Sequence, residues 1–355
     1  MSQTVIKGLE TIRPIIEGKR FLLVRDNAYD YLNIKGFFNC FSHVEFSDFT
    51  PNPLYEQVCK GVEDFNRERC ELIVAVGGGS TIDVAKCIKL FCRMDSSVNY
   101  LQQESFDSGI PLIAVPTTAG TGSESTRHAV IYYEGAKQSI SHESIVPDYA
   151  VLESSLLKTL PIYQKKCTML DALCQAIESW WSVNSTEESI GYSKKAIRAI
   201  RENWEAYIFD NDEVAAGKVM EAANYAGRAI NITATTAAHA MSYKITSLYN
   251  FPHGHAVAVC LPEVWEYMLE HEEDCIDGRG SGHLKQTMTE IGEMTEILYF
   301  RSMMERMEMG YPQATDKRRE LEVLAQSVNP VRLKNNPVAL DQNVLREMYG
   351  RIIKE

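Results

Sequence analysis

Asp171 and Gln175 stand four residues apart in Leu170-Asp-Ala-Leu-Cys-Gln-Ala-Ile-Glu178. A helix over this stretch puts both side chains on one face. His239 lies in Ala237-Ala-His-Ala-Met241, and fourteen residues later comes Pro252-His253-Gly254-His255. One carboxylate and two imidazoles are an ordinary donor set for a catalytic zinc or ferrous ion. A lone histidine is more often a satisfied core or surface residue, so the spacing alone leaves both readings open. A second chemistry is offered by Val76-Gly77-Gly78-Gly79-Ser80-Thr81-Ile82-Asp83-Val84-Ala85-Lys86, which leaves a strand and opens a helix. Glycines let a backbone come close to a ligand, and a helix N-terminus offers unpaired N–H groups and a positive dipole end to phosphate. The alternative is a tight turn with Ser80 as helix cap. Pro116-Thr117-Thr118-Ala119-Gly120-Thr121-Gly122-Ser123-Glu124 also leaves a strand, and its hydroxyls and small residues suit phosphate or ribose. Ligands of open α/β sheets sit at such carboxyl ends of strands.

The elements that must position these residues change character along the chain. Arg20–Arg25, His43–Ser47, Glu71–Val76 and Pro111–Pro116 read as buried strands, and the segment from Tyr55 to Arg69 reads as a helix. This alternation predicts a parallel sheet covered on both faces. Ala129–Tyr133 and Gln138–Ser141 predict a hairpin, and Tyr149–Leu152 a last strand. After Pro161 the pattern predicts amphipathic helices over 163–183, 186–206, 212–230, 233–249, 257–270, 283–308 and 341–353. The fold class is therefore an α/β N-terminal domain, residues 1–155, followed by an all-α domain, residues 156–355.

Composition bounds the function. The chain has 355 residues and a formal net charge of −12. An acidic balance excludes an extended nucleic-acid surface, which needs clustered Lys and Arg, but leaves room for a small anionic substrate met by a few local cations. Nine cysteines form no Cys-x-x-Cys pair, and several sit among apolar neighbours, which fits free thiols in a reducing cytoplasm. No apolar run approaches the length of a membrane span, and residues 1–18 lack the apolar core of a signal peptide. A cytoplasmic location without membrane or nucleic-acid partners is expected.

These motifs, in their order, resemble the iron-containing (group III) alcohol dehydrogenase family over essentially the whole chain. The matching pieces are Thr50-Pro-Asn-Pro53, Gly77-Gly-Gly-Ser80 with Asp83 and Lys86, and Pro116–Glu124. Pro147-Asp148, Leu170-Asp-Ala-Leu with Ala176-Ile-Glu178, and Tyr249-Asn-Phe-Pro-His-Gly254 follow. The resemblance implies a dehydroquinate synthase-like architecture, in which an NAD-binding domain is joined to a helical metal- and substrate-binding domain. It implies metal ligands at Asp171, the position of Gln175, His239 and His253, for one divalent ion, zinc or iron. The family usually carries His where this chain has Gln175; an amide oxygen is a weaker donor, and without it three protein ligands remain. The cofactor residues implied are Asp26, Asn52, Gly77, Gly78, Gly79, Ser80, Asp83, Thr117, Thr118, Thr121, Ser123 and Lys137. Asp26, at the end of the first strand, is expected to accept hydrogen bonds from ribose and to repel a 2′-phosphate. Arg25 beside it is the opposing feature.

His239-Ala-Met-Ser-Tyr-Lys244 and Pro252-His-Gly-His-Ala-Val257 look like a branch of that family. The branch includes 3-deoxy-D-manno-octulosonate (Kdo) 8-oxidase, a reaction of lipopolysaccharide precursors, and phosphonoacetaldehyde reductase. Both act on a primary alcohol or aldehyde in an anionic molecule. His128, Lys244 and His255 suit such an anion and are the expected catalytic residues, with His255 able to relay a proton. The expected reaction is hydride transfer between the alcohol carbon and NAD, with the metal as Lewis acid. Kdo oxidised at C8 is the first substrate expected and phosphonoacetaldehyde the second. A dehydroquinate synthase-type carbon–oxygen lyase is the alternative of another class. A homodimer, and an aminotransferase acting alongside, go with the branch.

Overall fold

The computed structural model describes residues 3–355. The chain divides into two compact units, the first reaching Leu160 and adding Asn211–Met220, the second comprising Pro161–Asp210 and Glu221–Glu355. The boundary thus falls a few residues beyond the expected 155, at Pro161, which caps the first long helix of the second unit. The excursion 211–220 is not visible in the sequence, because its helix is continuous with residues of the second unit.

In the first unit the strands are β1 Thr4–Lys7, β2 Phe21–Arg25, β3 His43–Phe46, β4 Leu72–Gly77, β5 Leu112–Pro116, β6 His128–Tyr133, β7 Ala136–Ser141 and β8 Tyr149–Leu152. Its helices are α1 Arg13–Ile16, α2 Lys35–Phe38, α3 Tyr55–Arg67 and α4 Gly79–Phe91. Six strands form one sheet in the order β1-β8-β5-β4-β2-β3, all pairs parallel. β6 and β7 form a separate antiparallel hairpin. β1 has no counterpart in the sequence reading: only Ile6 of its four residues is buried, so no apolar run marks it. Alternate residues of the central strands face two cores. Leu22, Val24, Ile73, Ala75 and Ala114 join Ile82, Ala85 and Ile88 of α4 on one face. Leu23, Val74, Val76, Ile113 and Val115 join Ile16 and Phe38 on the other. Burial on both faces makes these strands continuous apolar runs.

In the second unit the helices are α5 Ile162–Trp181, α6 Glu187–Phe209, α7 Glu213–Thr233, α8 Ala237–Tyr249, α9 His253–Glu270, α10 Ser281–Met294, α11 Ile297–Arg306, α12 Lys317–Ser327, α13 Pro330–Leu333 and α14 Gln342–Ile352. α7 begins in the excursion counted with the first unit. α5 packs on α6 and α9, and α8 packs on α9. Every residue from Met169 to Trp181 is buried, as expected of a helix enclosed by others. The expected helix 283–308 is two helices, because α10 ends at Thr295 in extended backbone and Glu296 starts α11. α9 begins at His253 rather than 257, with Pro252 before its first turn. Proline without an N–H is well tolerated there. Among the described residues no helix is long and apolar enough to cross a membrane, and all nine cysteines are free thiols.

Candidate metal centre and dinucleotide loops

α5 carries three buried polar side chains in a stripe, Asp171, Gln175 and Glu178, inside an otherwise apolar helix. Positions i, i+4 and i+7 share a helix face. Buried carboxylates are costly unless charge and hydrogen bonds compensate them, so the stripe needs partners. α8 and α9 supply them. The ligand atoms of Asp171, His239 and His253 all lie within 4.8 Å of one another. His239 Nε2 is 3.3 Å from Asp171 Oδ1, and the two imidazole rings meet edge to face at 5.4 Å.

The tight link between α8 and α9 brings the histidines together. Asn250 ends α8 with φ 55°, a left-handed conformation asparagine tolerates, and three residues later His253 opens α9. Gly254 lets α9 sit against α5: a Cβ there would meet the Cys167 carbonyl oxygen at 2.0 Å and the Asp171 Cβ at 2.8 Å.

Glu178 organises the centre, although the sequence reading gave it no role. Its Oε1 accepts from Thr236 N at 3.2 Å, Thr236 Oγ1 at 2.7 Å, Ala238 N at 3.0 Å and His239 N at 3.3 Å. These are the orphan donors of the α8 N-terminus, which no side chain of α8 itself caps. Its Oε2 meets His239 Nδ1. Glu178 thus accepts from Nδ1, which leaves Nε2, turned to Asp171, as the atom that would ligate a metal. The signal was present in the sequence as the seven-residue spacing from Asp171.

Burial works against protonation of His239, but the Glu178 charge and the Asp171 hydrogen bond outweigh it and raise its pKa to about 9. Burial would raise Asp171, yet hydrogen bonds from His239 and Gln175 and the His253 charge hold it below the usual carboxylate value. Asp171 and Glu178 thus face two imidazoles, and a divalent cation taking the place of imidazole protons fits that donor set. Gln175 donates from its amide to the Asp171 carboxylate, one turn away on the same face.

Of the other expected catalytic residues, His255 and Lys244 belong to the second unit and His128 to the first. His255 is buried with both ring nitrogens engaged: Nε2 lies 2.8 Å from the Gly310 carbonyl oxygen, and Nδ1 2.8 Å from the Tyr163 hydroxyl. Nε2 must donate to the carbonyl, so Nδ1 accepts from the tyrosine. Burial lowers its pKa against that backbone bond, which favours the neutral ring. Lys244 falls ~140° around α8 from His239, off the metal-facing side. Tyr243, four residues after His239, is on that side, and its ring stacks on His253 with centroids 5.5 Å apart. His128 begins β6 in the first unit, and its carbonyl accepts from Lys86 at 2.8 Å.

In the first unit the two small-residue loops meet because β4 and β5 are neighbours, with Gly77 level with Pro116. Thr117 N donates to the Gly77 carbonyl at 3.0 Å. The glycines are there for close approach. A Cβ on Gly77 would lie 2.2 Å from Thr81 Oγ1, and one on Gly79 would lie 2.9 Å from Thr121. A Cβ on Gly78 would only touch Thr118 at 3.6 Å. Ser80 Oγ donates to the Pro51 carbonyl, which brings the Thr50–Pro53 segment and Asn52 beside the α4 N-terminus.

Like Ser80, the expected cofactor residues Asp26, Asp83 and Ser123 bond within the protein. Asp26 already accepts within the protein: Oδ1 from Ala28 N at 2.9 Å, and Oδ2 from Thr81 Oγ1 at 3.1 Å and Gly78 N at 3.4 Å. It braces the glycine turn. Asp83 points inward, accepting from Ser123 Oγ at 2.6 Å and Val130 N at 3.0 Å. Ser123 is buried in the same network, where it accepts from Lys86 Nζ at 3.1 Å. Lys86 also donates to Thr126 Oγ1 at 3.0 Å. Burial lowers the Lys86 pKa to about 8, against the charges of Asp83 and Glu124. Lys137 is exposed on β7, beside the Glu134–Gly135 hairpin turn. Arg25 is held by Glu45 at 2.8 Å and Asp30 at 3.5 Å.

Residues 7–154 match the family described as iron-containing alcohol dehydrogenase, and residues 166–349 match its C-terminal domain. The probable alcohol dehydrogenase EutG of Escherichia coli K12 is 34% identical over 220 residues, 61% of this chain and 56% of that protein. Phosphonoacetaldehyde reductase of Streptomyces viridochromogenes is 33% identical over 233 residues, 62% of this chain and 59% of that protein. These matches span less than two thirds of the relatives' own lengths. The crystal structure of sulfoacetaldehyde reductase from Bifidobacterium kashiwanohense in complex with NAD+ superposes with a TM-score of 0.86 at 25% identity, covering 99% of this chain and 96% of that one. With both units matched and the Asp–His–His cluster present in the second, the chain belongs to the iron-containing alcohol dehydrogenase family.

Proposed function

We propose that the protein is an NAD(H)- and divalent-metal-dependent alcohol dehydrogenase that interconverts a primary alcohol and its aldehyde. The observation that carries this reading is the Asp171–His239–His253 cluster, with Asp171 and His239 buried and His253 partly so, backed by Glu178. Asp171, His239 and His253 would hold the cation, and Gln175 offers an amide on the same face. When bound, the cation supplies Lewis acidity and the nicotinamide supplies a two-electron couple. Asp171 is the sole anionic donor among the three, so a divalent ion there would keep a net positive charge toward a substrate oxygen.

In the first unit the α4 N-terminus and the Thr117–Gly122 loop would receive the pyrophosphate through backbone N–H groups and hydroxyls. NAD is favoured over NADP because Arg25 is already neutralised by Glu45 and Asp30 and offers no ready cation to a 2′-phosphate. The Asp26 carboxylate next to it adds negative charge.

For the substrate we favour a small aldehyde with an anionic head, reduced by NADH and a proton to the primary alcohol and NAD+. Two similar proteins bear the names phosphonoacetaldehyde reductase and sulfoacetaldehyde reductase. Oxidation of Kdo at C8 rests on the sequence segments alone and is the comparison arm.

The test is NADH absorbance with zinc- or ferrous-loaded protein. Phosphonoacetaldehyde, sulfoacetaldehyde and a neutral aldehyde are offered with NADH, and Kdo with NAD+. Net NADH consumption with the anionic aldehydes is expected. Absence of net nicotinamide turnover with every substrate would overturn the dehydrogenase reading in favour of a lyase that only borrows hydride.

A further inference from the structure

We infer that Arg332, held by Tyr243, is an anion-recognition site beside the metal cluster and selects substrates whose head group is a carboxylate, sulfonate or phosphonate. This inference rests on the dehydrogenase reading above and adds the residue that sets substrate charge.

The geometry begins at His253, one of the three clustered ligand residues. The Tyr243 ring stacks on it, with centroids 5.5 Å apart and planes 13° from parallel. Arg332 Nη1 donates to the Tyr243 hydroxyl at 2.8 Å, and its guanidinium carbon lies 4.9 Å from the Tyr243 ring centroid. One continuous contact path therefore runs from the ligand histidine through an aromatic ring to a guanidinium.

Arg332 is half-buried, yet no carboxylate of the described residues forms an ion pair with it. Its neighbours in kind are different. Arg301 is paired with Glu263 and Glu266, Arg351 with Glu263, Arg306 with Glu205 and Arg279 with Asp277. A guanidinium has five donors in a planar fork matched to carboxylate, sulfonate or phosphonate oxygens, and the tyrosine bond occupies one of them. Losing water at a half-buried position without a counter-ion is costly, and an anionic ligand would remove that cost.

The segment that carries Arg332 is anchored. Asn329 Oδ1 accepts from Val331 N at 2.9 Å at the start of α13. Asn335 Nδ2 donates to the Thr235 carbonyl at 3.2 Å, just before α8, and Asn335 Oδ1 accepts from Asn184 Nδ2 at 3.0 Å. The guanidinium is thus presented from a tethered backbone. The chain's net charge of −12 sets an overall field that repels an anion, which a local cation offsets. The cation expected at Lys244 is supplied instead from α13, eighty-eight residues further on in the sequence.

The test uses the metal-loaded full chain with NADH and two chain-matched aldehydes, succinic semialdehyde and butanal. Sulfonate and phosphonate analogues serve as further arms to rank the head groups. The quantity read is the ratio of kcat/KM for the anionic aldehyde to that for the neutral one. Arg332→Ala should lower the ratio about 10- to 100-fold, mainly through KM for the anion. Arg332→Lys should recover part of it, since charge without the fork is retained, and raised salt should weaken anion selectivity in the wild type more than in Arg332→Ala. An unchanged ratio in a variant that still turns over either aldehyde would overturn the site. If the wild type oxidises NADH with neither aldehyde, the dehydrogenase reading fails first, and the two failures are told apart. An equal loss for both aldehydes, unrecovered by lysine, would make Arg332 a structural residue and also overturn the proposal.

Discussion

Glu178 shows how one side chain serves structure and chemistry together. It closes the α8 N-terminus and fixes the His239 tautomer with the same carboxylate. Such outer partners orient a ligating histidine and raise its basicity. Glu178→Gln keeps a carbonyl oxygen for the Thr236 and Ala238 donors but removes the charge. Metal affinity, measured by competition with a chromophoric chelator, should fall about 10- to 100-fold. An unchanged dissociation constant would deny Glu178 its positioning role. Gln175 stands between the two carboxylates on the same face. Its place there follows from helix periodicity alone, whereas its hydrogen bond to Asp171 was not readable from spacing.

At the scale of elements, the centre depends on how closely α9 approaches α5. Gly254→Ala puts a methyl group 2.0 Å from the Cys167 carbonyl oxygen, where backbone must move. Overpacking of this kind costs roughly 1–3 kcal/mol. The shift should displace His253 from Asp171, so this variant should lose cation retention as well as thermal stability. A Gly254→Ala protein that binds the cation normally would show that the contact is not what sets the site.

In the first unit, Lys86 links α4 to the Thr/Gly loop and to the entry of β6. Lys86→Met should raise KM for NAD more than it lowers kcat, because the loop loses its anchor. It should also alter the pH dependence of stability. The folded pKa of about 8 lies below the ordinary lysine value of 10.5, so between these values the unfolded chain binds the extra proton. Wild-type stability relative to Lys86→Met should therefore rise as pH increases through that window. Urea midpoints of the two proteins, compared at each pH, check the sign.

For the whole molecule, the two candidate sites draw on different residues and give separable signatures. A ligand at a hundred times its dissociation constant stabilises the native state by about 2.7 kcal/mol, or about 100-fold slower exchange of globally protected amides. Zinc should therefore slow hydrogen exchange in α5, α8 and α9. NAD should slow it in residues 77–80 and 116–122. Zinc without effect on the α8–α9 link would contradict the metal centre.

Local periodicity and composition encode a definite part of this protein. The apolar runs β2, β4 and β5, the glycine and threonine loops at their ends, and most helices after Pro161 were legible because each follows from a few neighbouring residues, whereas α12 and α13, short and mostly exposed, went unread. The face shared by Asp171 and Gln175 follows from 3.6 residues per turn. β1 was missed because a mostly exposed edge strand carries no apolar signature. Only the tertiary structure decided which polar groups are consumed by other polar groups. Asp26, Asp83 and His255 all read as available chemistry, yet each is satisfied by protein donors or acceptors from other segments. Arg332 was invisible for the converse reason: eighty-eight residues separate it from Lys244, and nothing local shows that it reaches Tyr243. A buried polar group must be paired, and its partner comes from wherever the fold brings the chain back, which no local pattern specifies.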